Sequence, residues 1–563
     1  MTTPTSRRGQ RRARQQAAGR RTSPRPPAAS PPAEGRGALL VGAGILLSRL
    51  SGLVREVVTA GFLGVGMASD AFKAALRIPN LLQNLLGEGV LSASFIPVYS
   101  RLADADEEEA GRTAGAVAGL LAAAVAVLVL VGMAVARPLT IVLTPGFRDD
   151  AEKLDLTVDL VRIMFPGVGL LVLSAWCLAI LNSHRRFFLS YVAPVLWNVA
   201  QIVVVAAVAI GGASTVSLAT ALAWGVVVGG FAQLVVQLPT VRSLVPDLRL
   251  TLDRHRPAVR DALGRLGPVV FGRGVVQISS YVDLVLASLL VTGAVAAGTF
   301  AQVLYLLPVS VFGMSVAAAE LPELSRMGPQ DRALLAERIE QGLRRVAFFV
   351  APTAVVYVAL GESLVGALYQ RGEFGRSDTR LVWLVLAAYA LGLLATTGSR
   401  LLQNSLYALD DPRTPARIAL VRVLVSSGVA LAVMFPFDHL VLVGTAIRVE
   451  GDVADPAGLL HLGAVGIALG SAVGAWLEVL LLRTALRWRI GDIDLGGGSL
   501  GVLVTAALVA AALGRVLDLL LSDLPVLLLA AVTIGAAGLA YLAMTAALGF
   551  PLRSMFGAGA RRG

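Results

Sequence analysis

The chain is 563 residues long, 56% hydrophobic and only 15% charged, with a mean hydropathy of +0.75 and a formal net charge of +11. That balance excludes a soluble multidomain protein and describes a polytopic membrane protein. A single cysteine, Cys177, and four scattered histidines (His184, His255, His439 and His461), with no CxxC or HExxH spacing, disfavour disulfides and a zinc site.

Residues 1–37 carry nine arginines (Arg7, Arg8, Arg11, Arg12, Arg14, Arg20, Arg21, Arg25 and Arg36) against one acid, Glu34. Rich in Pro, Ser, Ala and Gly, this segment has too few large apolar residues to build a core, and reads as a disordered tail. A solvated topology anchor is its plainer reading, and binding of anionic lipid headgroups the alternative. From residue 38 onward, fourteen apolar runs follow, each long enough to span a hydrocarbon core about 30 Å thick. The predicted fold is therefore all-α, with about fourteen transmembrane helices.

Loops at 101–112, 182–187, 241–265, 325–345, 408–417 and 483–496, with the end at 553–563, hold the arginines, among them Arg185, Arg186, Arg242, Arg265, Arg344, Arg345, Arg483, Arg487 and Arg489. The opposite loops at 61–69, 211–216 and 291–297 lack Lys and Arg, so the positive-inside rule predicts that both termini are cytoplasmic. The longer outward segments near 138–153, 361–380 and 436–458 are exceptions in length, and the last reads as an insertion.

The first span, about 38–60, contains Arg49, Arg55 and Glu56, with Arg49 and Glu56 seven residues apart on one face and Gly52 between them. Small residues there permit close helix approach. The second span places Asp70, Lys73, Arg77, Asn80, Asn84 and Glu88 at steps of 3, 4, 3, 4 and 4, which is one helical face. Ionisable groups at membrane depth cost at least a few kcal/mol, so this stripe must face a wet cavity or partners inside the bundle. It reads as a transport pathway. Arginine offers a planar fork suited to two phosphate oxygens, and Arg49, Arg55 and Arg77 together call for a negative ligand. The alternative is that Arg49 and Arg55 pair with Glu56 and Asp70 to hold the bundle together. Pro79 and the Gly87-Glu88-Gly89 step are candidate hinges or gates, although proline is common in membrane helices.

A faint internal repeat relates the first two spans to those beginning near Gly272. Ser51-Gly52-Leu53-Val54-Arg55 meets Ser279-Ser280-Tyr281-Val282-Asp283, and Ile96-Pro97 through Arg101 meets Leu321-Pro322 through Arg326. Six spans separate the copies, which predicts two six-helix lobes of parallel orientation, 38–245 and 258–490, around a central cavity. Two further spans at 498–549 and a tail at 550–563 complete the chain.

In the seventh span Arg273, Gln277, Ser280 and Asp283 form a second polar face. Asp283 is a candidate for a cation or proton, or for an ion pair with Arg422 of the eleventh span. Glu320 and Glu323 close the eighth span near the cytoplasm; Arg400, Asn404 and Tyr407 share a face of the tenth, and Glu478 is isolated in the twelfth. Gly496-Gly497-Gly498 reads as a linker. With no GxxxxGK[ST] loop, GxSxG elbow or His–carboxylate pair, the sequence argues against an ATP-driven pump or an enzyme, and implies no cofactor, metal or nucleic-acid partner.

The run Ser48-Arg49-Leu50-Ser51-Gly52-Leu53-Val54-Arg55-Glu56, followed by Asp70-Ala71-Phe72, Ile78-Pro79-Asn80-Leu81-Leu82, Glu88-Gly89 and Phe95-Ile96-Pro97-Val98, resembles the MurJ (MviN) family of lipid II flippases in the multidrug/oligosaccharidyl-lipid/polysaccharide exporter superfamily. The match is dense over 40–102 and continues in pattern to about 550, with echoes at Asn182-Ser183, Arg186-Phe187, Tyr369 through Phe374 and Asp411 through Pro415. The resemblance implies two lobes around a cationic cavity, a groove for the lipid tail formed by the last two spans, and transfer of an undecaprenyl-pyrophosphate-linked peptidoglycan precursor from the inner to the outer leaflet of the bacterial cytoplasmic membrane. It implies a monomer with lipid II and membrane lipids as partners, and cell-wall synthesis proteins as further ones. Arg49, Arg55 and Asp70 match the family's functional charged positions, and Arg77 and Glu88 fall where a base and an acid are usual.

There are departures. Gln83 and Asn84 stand where many members have a basic pair, and Val303 where an arginine is usual; Arg273 or Arg400 is the candidate replacement. Asp283 matches the acid of members with a sodium site, but Arg422 on the eleventh span argues against carrying sodium over. The membrane potential or an ion gradient is the expected energy source, since one charge moved across 100 mV is worth about 2.3 kcal/mol. The rivals are an exporter of another polyprenyl-linked saccharide or of cationic drugs, and a non-transporting scaffold for cell-wall enzymes.

Overall fold

The computed structural model describes residues 32–313, 332–443, 446–452, 459–494, 497–550 and Met555. The arginines of the tail up to Arg25, Glu320, Glu323 and the Leu321–Arg326 half of the repeat, and Gly496, lie outside the described residues. Nearly everything described is helix, as lipid demands: with no water to satisfy backbone groups, a spanning segment must close its hydrogen bonds internally. Because α1 begins after the arginine tail, the end of the bundle where it starts is called the near end, and the opposite one the far end.

The chain runs α1 (Pro32–Leu63) to the far end, and returns by α2 (Met67–Leu86), α3 (Glu88–Ser94) and α4 (Ile96–Ala105). It continues through α5 (Glu107–Ala134), a short α6 (Ala136–Leu143), α7 (Ala151–Ser183), α8 (Phe187–Ala209) and α9 (Thr215–Leu244). The second half is α10 (Pro257–Ser288), α11 (Ala294–Pro308) with a π turn at Val309–Gly313, α12 (Arg332–Ala359), a short α13 (Gly361–Tyr369), α14 (Arg376–Ala390), α15 (Leu393–Ala408), α16 (Arg413–Asp438) and α17 (Gly463–Ile490). Finally come α18 (Gly497–Leu520) and α19 (Val526–Ala547). Among the described residues eleven spans are long and apolar enough to cross a membrane, and α14 with α15, bent by 42°, makes a twelfth. The 32-residue helices α1 and α10 are not among these twelve, though each is long enough to cross; fourteen passages were expected.

One element departs from an all-helical chain. In the segment read as an insertion, β1 (Leu440–Val443) pairs antiparallel with β2 (Ala446–Val449) and, on its other side, with β3 (Leu460–His461), giving the order β2-β1-β3 at the far end. β-branched and apolar residues there suit a short ladder.

Strong packing within the first half joins α8 to α9, α7 to α9, α2 to α7 and α1 to α8; in the second it joins α16 to α17, α18 to α19, α12 to α18 and α15 to α17. Helices meet closely where small residues line the seam. Along α17, Gly466 and Gly470 face α16 so tightly that an added Cβ would sit 2.6 Å from Met434 Cα and 2.7 Å from Ala430 N. Between the halves, α10 rests on α2 and α3, and α11 on α2. Pro79 lies inside an unbroken α2; the passage breaks instead at Gly87, whose N–H still donates to Gln83 O at 2.8 Å before Glu88 starts α3.

Candidate functional site

The stripe on α2 and the charged face of α1 point toward each other and toward α11. Their burial falls steadily from the far end to the near end: Asp70 and Lys73 are buried, Arg77, Asn80 and Asn84 half-buried, and Glu88 exposed. On α1 the same gradient runs from buried Glu56 through half-buried Arg55 to exposed Arg49. The polar faces thus line a cleft that is wet at the near end and sealed at the far end.

The seal is built on Asp70. Its carboxylate accepts from Lys153 Nζ of α7 at 2.8 Å, and from the backbone N–H groups of Gly293 at 2.8 Å and Ala296 at 2.7 Å. The last two are free donors of the α11 N-terminus, where an acid also meets the positive end of the helix dipole. Lys153 lies over the Phe147 ring at 4.2 Å and reaches Thr292 Oγ1 at 3.3 Å. Beside this cluster, Val65 N donates to Asp378 Oδ2 at 3.4 Å and Glu373 N donates to Gly61 O at 2.9 Å, tying the end of α1 to the first turn of α14 and the loop before it.

One turn deeper, Glu56 bridges two cations. Arg55 Nη2 lies 2.5 Å from Glu56 Oε1, and Lys73 Nζ bonds Glu56 Oε2. Lys73 also sits 4.4 Å over the ring of Phe300 on α11, and the Arg55 guanidinium 4.7 Å over Trp197 on α8. Arg55 keeps Nη1 buried without a hydrogen-bond partner among the described residues. The cluster holds two cations against one carboxylate, and a fork on Arg55 that remains to be satisfied.

Toward the near end, Arg77 Nη2 donates to Gln302 Oε1 of α11 at 2.8 Å, while Tyr281 Oη donates to Arg77 O at 3.1 Å. Arg49 Nη1 reaches Ser310 Oγ of the π turn at 3.3 Å. Arg49, Glu88, Ser190 and Tyr191 line an open pocket of about 220 Å³. Asn80 has its carbonyl oxygen buried without a partner among the described residues.

The other expected residues are dispersed. Arg273 lies on α10, but its side chain is outside the described set. Arg400 is exposed on α15 and makes no ion pair among the described residues. Asp283 lines, with Arg77, Gln302, Thr299 and Tyr389, a space of about 20 Å³, room for a single water. The ion pair considered between Asp283 and Arg422 does not form: Arg422 Nη1 lies 2.6 Å from Glu478 Oε2, and Gln403 donates to Glu478 Oε1 at 2.7 Å. Glu478 is therefore not isolated. Sequence reading missed Lys153, Gln302 and Ser310; the one signal for Gln302 was a polar residue inside an apolar span, next to Val303.

Beside this cleft an apolar groove of about 740 Å³ runs between α12, α18 and α19, lined by Phe349, Val356, Ala507, Ala510, Ile534 and Leu542 among others.

The family model described as lipid II flippase MurJ matches residues 59–450. The chain is 34% identical to the probable lipid II flippase MurJ of Rhizobium tropici over 80% of both chains. It is 32% identical to the lipid II flippase MurJ of Burkholderia cenocepacia, covering 81% of this chain and 84% of that one. Its fold is similar to that of a solved lipid II flippase MurJ in an inward closed conformation, with a TM-score of 0.71, 20% identity, and coverage of 91% of this chain and 99% of the other. It is also similar, with a TM-score of 0.56 at 17% identity over 80% of this chain and 98% of the other, to an inward-facing multidrug resistance MATE family transporter of the MOP superfamily.

Proposed function

The chain belongs to the lipid II flippase MurJ family, a family of transporters and not of enzymes, and from that premise we propose that it carries lipid II across the bacterial inner membrane by alternating access. Both termini are cytoplasmic in this reading, so the near end faces the cytoplasm and the state described is open inward. The single observation that carries it is the burial gradient along α1 and α2, from exposed Arg49 and Glu88 at the near end through half-buried Arg55 and Arg77 to buried Glu56 and Asp70.

The headgroup enters from the cytoplasmic leaflet, its pyrophosphate takes the unfilled donor of Arg55 together with Arg49 and Arg77, and Asn80 and Glu88 meet the sugar and peptide. The polyprenyl tail stays outside, in the groove between α12, α18 and α19, whose lining is almost wholly apolar. The lobes 38–245 and 258–490 then rock about α10 and α11, with Pro79, Glu88 and Gly89 as the flexible points of the second passage. Asp70 acts less as a ligand than as the bolt of the far gate: its lone pairs are taken by Lys153 and α11, and opening outward must break those contacts. A cationic drug fits this cleft poorly, since its unshared charge is positive. The protein acts as a monomer.

The test is lipid II accessibility at the outer leaflet of cells depleted of their own flippase, comparing the parent with an Arg49→Ala, Arg55→Ala variant inserted to the same level. The parent restores exposure and the variant loses at least tenfold of it. A correctly inserted parent that restores nothing overturns the reading in favour of another polyprenyl-linked saccharide or a scaffold.

A further inference from the structure

The chain between α9 and α10, residues 245–256, links the first half of the protein to the second, and its ends are anchored: Val245 and Val259 are buried in one core with Ala114, Val117 and Val241. Between them it lies along α5 on a stripe of three glycines at steps of four. A Cβ on Gly111 would sit 3.1 Å from Asp247 Cβ, one on Gly115 2.1 Å from Arg249 O, and one on Gly119 2.2 Å from Thr251 O, so only glycine admits the link this closely. Thr251 N donates to Gly115 O at 3.4 Å. The link then doubles back, and Arg256 pairs with Glu109 in the first turn of α5 at 2.7 Å and with Asp253 at 3.1 Å. It forms a strap whose tip, Thr251 and Leu252, reaches from the near end down α5.

The depth of the tip follows from α5. Arg112 is its last charged residue, and the uncharged stretch 113–134 is about 33 Å long at 1.5 Å per residue, the thickness of a hydrocarbon core. Gly119 is therefore about 10 Å past Arg112, at the boundary between headgroups and acyl chains. The strapped face looks out of the bundle: Leu130, about three turns beyond Gly119 on the same face, is 68% exposed. At that depth the strap presents Leu250 and Leu252, 70% and 65% exposed, between Arg249 and Arg254, both exposed as well. The N–H groups of Arg249, Leu250 and Leu252 have no hydrogen-bond partner among the described residues. Irregular backbone is not tolerated against bare hydrocarbon, so these donors need water or phosphate oxygens. The acids around the strap lie toward the near end or are already paired: Glu108 with Arg112, Glu109 and Asp253 with Arg256, while Glu107 starts α5 and Asp247 sits beside Gly111.

We propose that the strap is an interfacial seat for anionic phospholipid of the leaflet at the near end: Leu250 and Leu252 enter the acyl region, and Arg249, Arg254 and the strap's backbone N–H groups take the phosphodiester. That this leaflet is the cytoplasmic one rests on the orientation in the flippase reading; that a leaflet binds here does not. Apolar area and basic charge act together at such a boundary, the first setting depth and the second selecting lipids with net negative charge. Guanidinium forks and backbone donors both match phosphate oxygens, which is the chemistry missing from the strap's own hydrogen bonds. Because the strap leads into α10, the seat also sets the depth at which the second half begins.

The experiment uses the full chain with Cys177→Ala, carrying an environment-sensitive fluorophore on Leu252→Cys, in nanodiscs of phosphatidylcholine with a minor share of phosphatidylglycerol. Acyl chains brominated near the glycerol are placed on one lipid or on the other. Brominated phosphatidylglycerol should quench roughly tenfold more per mole than brominated phosphatidylcholine, the preference that two arginines at the surface supply. Arg249→Gln with Arg254→Gln should bring the two lipids to equality while both still quench, which reports that the strap stays in place. Arg249→Lys with Arg254→Lys should keep most of the preference. No quenching by either lipid puts the strap in water and overturns the seat, and equal quenching in the parent overturns it too. So does loss of the preference on adding inorganic phosphate, or undecaprenyl diphosphate at a stoichiometric level, since the donors then belong to free phosphate or to the transported lipid. Transport is read separately, as lipid II exposure in cells. A parent that restores exposure without any lipid preference at the strap sinks this inference alone; a parent with the preference that restores no exposure leaves the seat standing and sinks the flippase reading.

Discussion

Asp70 and Lys153 meet at 2.8 Å between α2 and α7, both almost fully buried, and the same carboxylate caps the first turn of α11 from the other half of the chain. One side chain therefore joins three helices at the sealed end of the cleft. Asp70→Asn keeps the shape but leaves the Lys153 ammonium buried without its counter-charge, a loss of the order of 3–5 kcal/mol for a buried pair. We expect the variant to melt at lower temperature and to admit a membrane-impermeant thiol reagent from outside at a cysteine placed at Ala71, which is fully buried beside Asp70. If melting and labelling both match the parent, Asp70 does not hold the far end shut.

Glu56 offers a second test, because Arg55 and Lys73 share it. Glu56→Gln leaves two cations facing each other in a poorly hydrated site, and Lys73→Met leaves a carboxylate with one partner in place of two. Residues in one ion-pair network couple by about 0.5–3 kcal/mol. The double variant should therefore be more stable than the sum of its parts, as read from denaturation midpoints of all four proteins. Strict additivity would mean that Lys73 is held by Phe300 and not by Glu56.

The stripe Asp70, Lys73, Arg77, Asn80, Asn84, Glu88 was legible because helical periodicity and the cost of buried charge act locally, within one element. That the chain is a set of apolar spanning helices was legible for the same reason. What the stripe faces was not: Lys153 stands 83 residues from Asp70, and Gln302 225 residues from Arg77, so only the folded chain brings them together. Whether Asp283 pairs with Arg422 was left open because spacing says nothing about rotation, and α16 turns Arg422 toward Glu478 on α17. The three-stranded sheet was overlooked because four-residue strands carry too little periodicity to stand out in an apolar chain.

Closure at the far end also depends on Gly64. Its φ of +57° is strained for any residue with a Cβ, and a Cβ there would lie 2.7 Å from Glu373 O across the seam. Gly64→Ala should cost about 1–2 kcal/mol from the backbone alone, with more from the contact, and should shift the protein toward outward labelling. Gly66→Ala, two residues on with nothing within 4 Å, is the matched control and should behave as the parent. Equal effects of the two changes would dissociate the close approach from closure.

The near end carries a pH-dependent tie outside the spans. The hydroxyl and backbone N–H of Thr414 hold the Asp411 carboxyl below its usual range, with Arg489 adding its charge. A depressed carboxylate contributes stability that is present above its unfolded value near 3.8 and is lost as pH falls through the lower folded value. Asn keeps an acceptor for Thr414 and removes only the charge, so Asp411→Asn should lower the melting temperature at pH 7 slightly, by the equivalent of less than about 1 kcal/mol for a solvated charge, and the difference should vanish below about pH 4. A gap that stays constant down to pH 3 would assign the effect to something other than the charge.

The burial gradient itself is open to direct measurement. Cys177 is buried and unpaired, so Cys177→Ala gives a cysteine-free background at the cost of a small packing loss. In inverted vesicles, where the proposed cytoplasmic face is outward, an impermeant maleimide should modify Glu88→Cys and Asn84→Cys readily, Arg77→Cys slowly, and Ala71→Cys hardly at all. Addition of lipid II should protect Asn84→Cys and Arg77→Cys, since the headgroup displaces the water through which the reagent arrives. In right-side-out cells the order should be absent in the resting state, and combining each cysteine with Asp70→Asn should bring in Ala71→Cys first, because the bolt lies one residue away. Uniform labelling along α2 from both faces would replace the one-sided cleft by a continuous pore, and alternating access with it.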